Sequence, residues 1–181
     1  MIEVRWHGRG GQGAVTSVEL LALAAIDEGR YAQGFPAFGA ERRGAPVVAY
    51  NRIDDKHVKN RSPIVAPDFV VCLDETLVGA VNITEGLKPE GTLIMNTQKT
   101  AKEIAELMNF KGKIATIDAT SIAWKELGVP ITNTTILGAL IKVAGIVKLD
   151  SLKAPVDHRF GRIANKNLAA MKRAYDEVKM N

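Results

Sequence analysis

A chain of 181 residues is long enough to bury one sizeable core and too short to be expected to split into two, so a single domain over residues 1–181 is the expectation. A formal charge of +4 and a pI near 9.2 favour anionic partners only mildly. The denser basic sets, Lys56 to Arg61 and Lys166 to Arg173, have no interleaved aromatics and do not read as a nucleic-acid surface. One cysteine, Cys72, excludes an internal disulfide and any cluster held by several cysteines. No basic-apolar leader opens the chain and no uncharged apolar run reaches about 18 residues, which gives the expectation of a complete, cytoplasmic protein without a membrane span.

Ile2, Val4 and Trp6 alternate with Glu3, Arg5 and His7, the period of a short strand. Gly8-Arg9-Gly10-Gly11-Gln12-Gly13 follows, four glycines in six residues. Val15, Val18, Leu21, Ala22 and Ala25 then recur at helical spacing. The order is strand, glycine turn, helix start. Such a turn reaches positive φ without strain and leaves its amides uncovered. At a helix N-terminus those N–H groups and the macrodipole favour an anion, so the stretch reads as a place to hold a phosphate.

Gly29 is expected to stop the first helix, with Tyr31 to Phe35 a second short strand. Gly34, Pro36, Gly39, Gly44 and Pro46 predict a loop before a strand at Val47 to Ile53. Asp54-Asp55 resembles a hairpin turn into a weaker strand at His57 to Arg61. Asp68 to Leu73, Gly91 to Asn96 and Lys113 to Asp118 carry the continuous apolar runs of central strands. Asp74-Glu75-Thr76 is predicted to open a helix, and others are expected at roughly 99–109, 120–127, 133–147 and 161–179. Thr132 is a candidate N-cap for the third of these, whose apolar residues run almost all round and predict burial within the domain or against a partner. The alternation predicts an α/β, Rossmann-like three-layer sandwich, its mostly parallel sheet carrying an antiparallel hairpin addition around Asp54.

Gly8, Gly10 and Gly13 satisfy G-x-G-x-x-G in the right strand-turn-helix context. A dinucleotide site would also require a carboxylate about 20 positions on, at the end of the second strand, to bind a ribose. Tyr31-Ala32-Gln33-Gly34-Phe35 has none, and Glu41 falls later, in a loop. A plain packing turn and a phosphate-bearing ligand other than NAD are the other readings. Arg42-Arg43, in a loop stiffened by prolines, present a second anion clamp or a solvated pair with Glu41. Phe35 and Phe38 in the same stretch point to a partner surface. For catalysis the chain is poor. His7, His57 and His158 are far apart, Cys72 sits in an apolar strand, and Asp74 and Glu75 serve equally as ligand contacts or helix openers. No complete active site assembles, which suggests a subunit rather than a self-sufficient enzyme.

WHGRGGQG, the loop QGFPAFGAERRGAPVVAYNRI and the segment PDFVVCLDETL together resemble the gamma subunits of 2-oxoacid:ferredoxin oxidoreductases. The likeness runs on through GTLIMNT, Ala119 to Ala123 and Asn133 to Leu140, nearly the whole chain, and is greatest to the pyruvate:ferredoxin oxidoreductase (pyruvate synthase) subgroup. The resemblance implies a multisubunit enzyme of anaerobic metabolism that converts a 2-oxoacid and coenzyme A to acyl-CoA and CO2 and reduces ferredoxin. It implies thiamine diphosphate in the alpha and beta subunits and iron–sulfur clusters in beta and delta. No catalytic residue and no metal ligand are expected in this chain, which would lack turnover alone. Its implied part is assembly plus a share of the coenzyme A site, at Gly10, Gly11, Gln12, Gly13, Arg42, Arg43 and Asn133. Coenzyme A carries a diphosphate and a 3′-phosphate, which suit an amide nest with arginines. Competing readings are a 2-oxoglutarate, branched-chain or aryl-pyruvate enzyme, a pure scaffold without ligand contact, and an independent NAD-dependent dehydrogenase. No nucleic-acid or membrane partner is expected.

Overall fold

The computed structural model describes residues 1–37 and 43–181. In chain order its elements are β1 (Ile2–Arg9), α1 (Ala14–Asp27), β2 (Tyr31–Pro36), β3 (Pro46–Asp54), β4 (Phe69–Cys72), β5 (Thr92–Asn96), α2 (Ala101–Met108), β6 (Lys113–Ile117), α3 (Ala119–Leu127), α4 (Asn133–Ala144), α5 (Lys153–Phe160), α6 (Ala164–Glu177) and β7 (Lys179–Met180). They form one seven-stranded sheet in the order β2-β3-β1-β4-β5-β6-β7. β1, β4, β5 and β6 are mutually parallel, while β3 and β7 run against their neighbours.

Period-two alternation sorts the side chains to two faces. Val4, Trp6, Val71, Leu73, Ile94, Ala115 and Ile117 join the larger core, packed with residues of α1, α3, α4, α5 and α6. Val70, Cys72, Leu93, Met95 and Ile114 belong to a smaller core closed by Ile104 of α2 and by Leu77 and Ile83 of the β4–β5 connection. The three layers are therefore unequal, the second helical layer being thin. A satisfied polar link crosses the larger core, where Trp6 Nε1 donates to Asn51 Oδ1 at 2.9 Å and Asn51 Nδ2 donates to the Val18 carbonyl at 2.9 Å. α4 is buried from Asn133 to Ile141, as its all-round apolar pattern predicts. It approaches α6 so closely that a Cβ on Gly138 would collide with the Met171 carbonyl. Among the described residues no helix is long and apolar enough to cross a membrane.

Five local expectations are corrected. The antiparallel hairpin is β2–β3 and not a turn at Asp54. Residues 57–61 form no strand, because side chains take the carbonyls a ladder would need. Arg52 donates to the Asn60 and Ser62 carbonyls at 3.0 and 2.7 Å, and Gln33 to that of Val58 at 2.6 Å. Asp74 opens only a single 3₁₀ turn, Glu75–Leu77, after which Val78 is extended and Gly79 takes φ 86°. The expected helix at 161–179 starts at Ala164, and a separate α5 precedes it. Pro155 sits in the first turn of α5, where the N–H it lacks has no intrahelical partner anyway. Val15, placed with the apolar face of α1 by its spacing, is 37% exposed.

Candidate functional site

β1 delivers the glycine turn to the carboxyl edge of the parallel strands. Gly11 has φ 95° and Gly13 φ 81°, the left-handed conformations that glycine adopts without strain. Not every amide is left open, however. Gly10 N–H donates to the Ala45 carbonyl at 2.9 Å and Gln12 N–H to that of Arg9 at 3.0 Å, which corrects the expectation of a wholly uncovered turn. Among the described residues no side chain caps α1, which leaves its leading N–H groups as donors there. No acidic residue sits in that first turn to repel an anion.

Asn133 lies beneath this turn. A Cβ on Gly13 would collide with its side chain, its carbonyl accepts from Ser17 Oγ at 3.0 Å, and it is 5% exposed. It sets the spacing between α1 and α4. Gly44 N–H donates to the Gly10 carbonyl at 3.0 Å, pairing the arginine loop with the turn. Arg43 is exposed, and its Cγ lies 3.9 Å from where a Gly11 Cβ would stand. Arg42, Glu41 and Phe38 lie outside the described residues. Arg9 clasps the same corner, donating to the Gly44 carbonyl at 3.1 Å and to Thr76 Oγ1 at 2.8 Å, with its Nε 3.3 Å from an Asp74 carboxylate oxygen.

Beside the turn opens a cleft of about 460 Å³ at the ends of β4, β5 and β6. Gly11 and Gln12 form one wall; Asp74, Asn96, Asp118 and Thr132 are among the rest. Gly10, Gly13, Arg43 and Asn133 do not line it. Its polar groups largely satisfy one another. Gln12 Nε2 donates to Asp74 at 2.7 Å, Asn96 Nδ2 to the Leu73 carbonyl at 2.9 Å and Gln98 to Asp118 at 2.9 Å. Burial opposes ionisation of Asp74, but hydrogen bonds from Thr76 and Gln12 with the Arg9 charge outweigh it and hold the carboxyl below its usual range. Thr97 and then Lys99 do the same for Glu75. For Asp118 burial is again outweighed, by Ser121, Gln98 and Lys125. The cleft is thus polar and, with Lys99 paired to Glu75, net acidic, while Arg9 and Arg43 lie on the other side of the turn.

His7 is 6% exposed and accepts from Arg5 Nε at 3.1 Å. Burial, then the Arg5 charge, pushes its pKa down to about 4, so it is a neutral internal acceptor. Burial pushes the Cys72 thiol up to about 12, leaving it inert. Among the described residues no group of three or more His, Cys, Asp or Glu is arranged to hold a metal ion. The strand beside β1 on the hairpin side is the antiparallel β3. Its carboxyl end lies at the opposite edge of the sheet, so the usual place for a ribose-binding carboxylate is missing. Asn96 and Asp118 were passed over in the sequence, although each ends a buried strand and such ends carry ligand contacts in α/β sheets.

A family model described as pyruvate ferredoxin/flavodoxin oxidoreductase matches residues 3–177. The chain is 50% identical over 182 residues to the "Pyruvate/ketoisovalerate oxidoreductases common subunit gamma" of Pyrococcus furiosus, covering 99% of this chain and 98% of that protein. It is 49% identical over 180 residues to the "Pyruvate synthase subunit PorC" of Methanothermobacter marburgensis, with 99% and 98% covered. The crystal structure of pyruvate oxidoreductase subunit PORC from Thermotoga maritima superposes with a TM-score of 0.90 at 43% identity, over 99% of this chain and 98% of that one. The fold also recurs, at 22% identity and a TM-score of 0.71, within a 2-oxoglutarate:ferredoxin oxidoreductase from Magnetococcus marinus solved with coenzyme A bound; the match covers 97% of this chain and 30% of that one.

Proposed function

The chain belongs to the pyruvate ferredoxin/flavodoxin oxidoreductase family, and we propose that it is the gamma subunit of a multisubunit enzyme that converts pyruvate, coenzyme A and oxidised ferredoxin to acetyl-CoA, CO2 and reduced ferredoxin. Its part is assembly and a share of the coenzyme A site. Alpha, beta and delta subunits complete the enzyme in the cytoplasm, with thiamine diphosphate and iron–sulfur clusters in those partners. A single cysteine cannot ligate a cluster that needs four. The relatives named as a subunit common to pyruvate and ketoisovalerate oxidoreductases favour one second reading, in which the same chain also serves a branched-chain complex.

The observation that carries the ligand reading is the pairing of Gly10 with Gly44 and Ala45. It brings the glycine turn and the arginine loop to one corner although more than thirty residues separate them in the sequence. Phosphates would meet the leading amides of α1, Gly10 to Gly13 and Arg43, with Arg42 beside it in sequence and Asn133 holding the turn from below. The test is steady-state kinetics of the assembled complex carrying Gly11→Val or Arg43→Ala. Loss of a charge-assisted hydrogen bond worth about 2 kcal/mol in Arg43→Ala should raise the KM for coenzyme A roughly 30-fold and leave that for pyruvate unchanged, and Gly11→Val, which strains the turn at φ 95°, should change the same constant in the same direction. Unchanged constants for both variants would leave the pure scaffold reading.

A further inference from the structure

The densest basic stretch of the first half, Lys56 to Arg61, takes no part in the site above. It is irregular chain, yet it is fastened at three points. Arg52, itself 2% exposed, holds the Asn60 and Ser62 carbonyls, Gln33 holds that of Val58, and the Val58 side chain is buried. This anchoring lays the stretch over β2 and β3, on the face that carries Gln33 and Arg52, at the terminal hairpin of the sheet. Lys56, Lys59 and Arg61 project exposed from it. The acids next to them are already engaged, Asp54 with the N-terminal amine at 3.5 Å and Asp55 with Arg30 at 3.0 Å. Among the described residues no carboxylate pairs with the three cations.

A hollow of about 350 Å³ opens at the same place, lined by Gln33, Gly34, Phe35 and Arg61. Gln33 Oε1 is shut off from solvent there without a hydrogen-bond donor among the described residues. Its orientation is fixed, because the amide nitrogen is tied to Val58. A buried acceptor in that state is costly. Phe35 stacks on Tyr50 with ring centroids 5.3 Å apart and carries the Arg52 guanidinium at 5.7 Å, which makes a rigid wall.

From these features we infer that the outer edge of β2 and the 56–61 stretch form a docking surface for an extended, acidic segment of a partner subunit. Main-chain groups of that segment pair with the edge of β2, and its carboxylates meet Lys56, Lys59 and Arg61. Edge lysines also serve simply to keep sheets from pairing with one another, and glutamate would do that equally well, which separates the two roles. The inference rests on the subunit reading of the preceding section.

The test is anaerobic co-purification through a tag on this chain, with the partner subunits released by a salt gradient. One variant carries Lys56→Glu, Lys59→Glu and Arg61→Glu. A control carries Lys102→Glu, Lys111→Glu and Lys166→Glu, three exposed lysines on α2, just after it and on α6, with the same change in net charge. The edge variant should release its partners at about half the salt concentration that releases them from the wild type, and the control should not differ from wild type. If the edge variant fails to fold, the neutral Lys56→Gln, Lys59→Gln, Arg61→Gln variant replaces it and should fall between. Equal retention of edge variant and wild type would overturn the inference, as would equal losses in edge variant and control. So would normal assembly with lost retention on heparin, which would assign the patch to a polyanion. A wild-type chain that elutes alone at low salt would overturn both this inference and the subunit reading.

Discussion

His7 shows how a residue beside a ligand turn can be wholly structural. With its pKa at about 4 against 6.5 for the free side chain, the folded state binds its proton less readily than the unfolded state. The stabilisation this implies is complete above pH 6.5 and is lost as pH falls toward 4, because there the unfolded chain gains a proton that the folded one refuses. The gap corresponds to about 3 kcal/mol at most. Urea unfolding of the purified chain at intervals between pH 4.5 and 7.5 should therefore show stability falling toward acid. His7→Gln keeps an acceptor for Arg5 but does not titrate, and should flatten the curve over that window. An unchanged slope would remove His7 as its source. Arg5, 7% exposed, has no carboxylate partner among the described residues but donates to the carbonyls of Ile83 and Glu85 at 3.2 and 2.5 Å, so the pair also ties the β4–β5 connection to the sheet.

Between elements, α4 illustrates how an apolar sequence is converted into a fixed spacing. Its first nine residues are all buried, and its closest neighbour is α6. At Gly138 the two backbones meet without room for a methyl group. Gly138→Ala would ordinarily gain helix propensity of about 1 kcal/mol. Here α4 and α6 must separate, and overpacking of this kind costs about 1–3 kcal/mol or more. The expected result is a net loss, read as a melting temperature lowered by several degrees. A variant as stable as wild type would mean that the helices yield at little cost. The same element carries Asn133 at its start, so a shift of α4 would also move the support beneath Gly13 and should raise the KM for coenzyme A of the assembled complex.

Over the whole molecule, a charge separation organises the ligand edge. Asp74, Glu75 and Asp118 outnumber Lys99 along the cleft and leave it net acidic, while Arg9, paired with Asp74, and Arg43 sit on the hairpin side of the glycine turn. Phosphates are therefore directed to the turn and the arginine loop rather than into the cleft. On the proposed reading, activity belongs to the assembly. A tagged copy purified anaerobically with its partners should reduce a viologen dye only when both a 2-oxoacid and coenzyme A are present. The chain stripped of partners by salt should show no turnover. Comparison of pyruvate with 2-ketoisovalerate and 2-oxoglutarate on that preparation identifies the substrate, and a preparation most active on another 2-oxoacid would replace pyruvate in the proposed function.

What the sequence determined by itself was everything carried by local pattern. The period-two strands, the glycine turn running into α1, the buried α4 and the lack of a cluster-binding cysteine set were all readable, because each depends on neighbours within a few turns of chain. The family blocks were readable for the same reason. Tertiary structure alone decided the rest. Whether 57–61 became a strand depended on Arg52 and Gln33 competing for its carbonyls, and whether Val15 was covered depended on what packs against α1. The neighbour of β1 on the hairpin side turned out to be an antiparallel strand, which strand periodicity does not encode. Asn96 and Asp118 became parts of a cleft only when three parallel strands ended side by side. Above all, the sequence presented the glycine turn and Arg43 as two separate motifs. Backbone hydrogen bonds between Gly10 and the pair Gly44 and Ala45 made them one corner, because strand pairing joins residues by register and not by their distance along the chain.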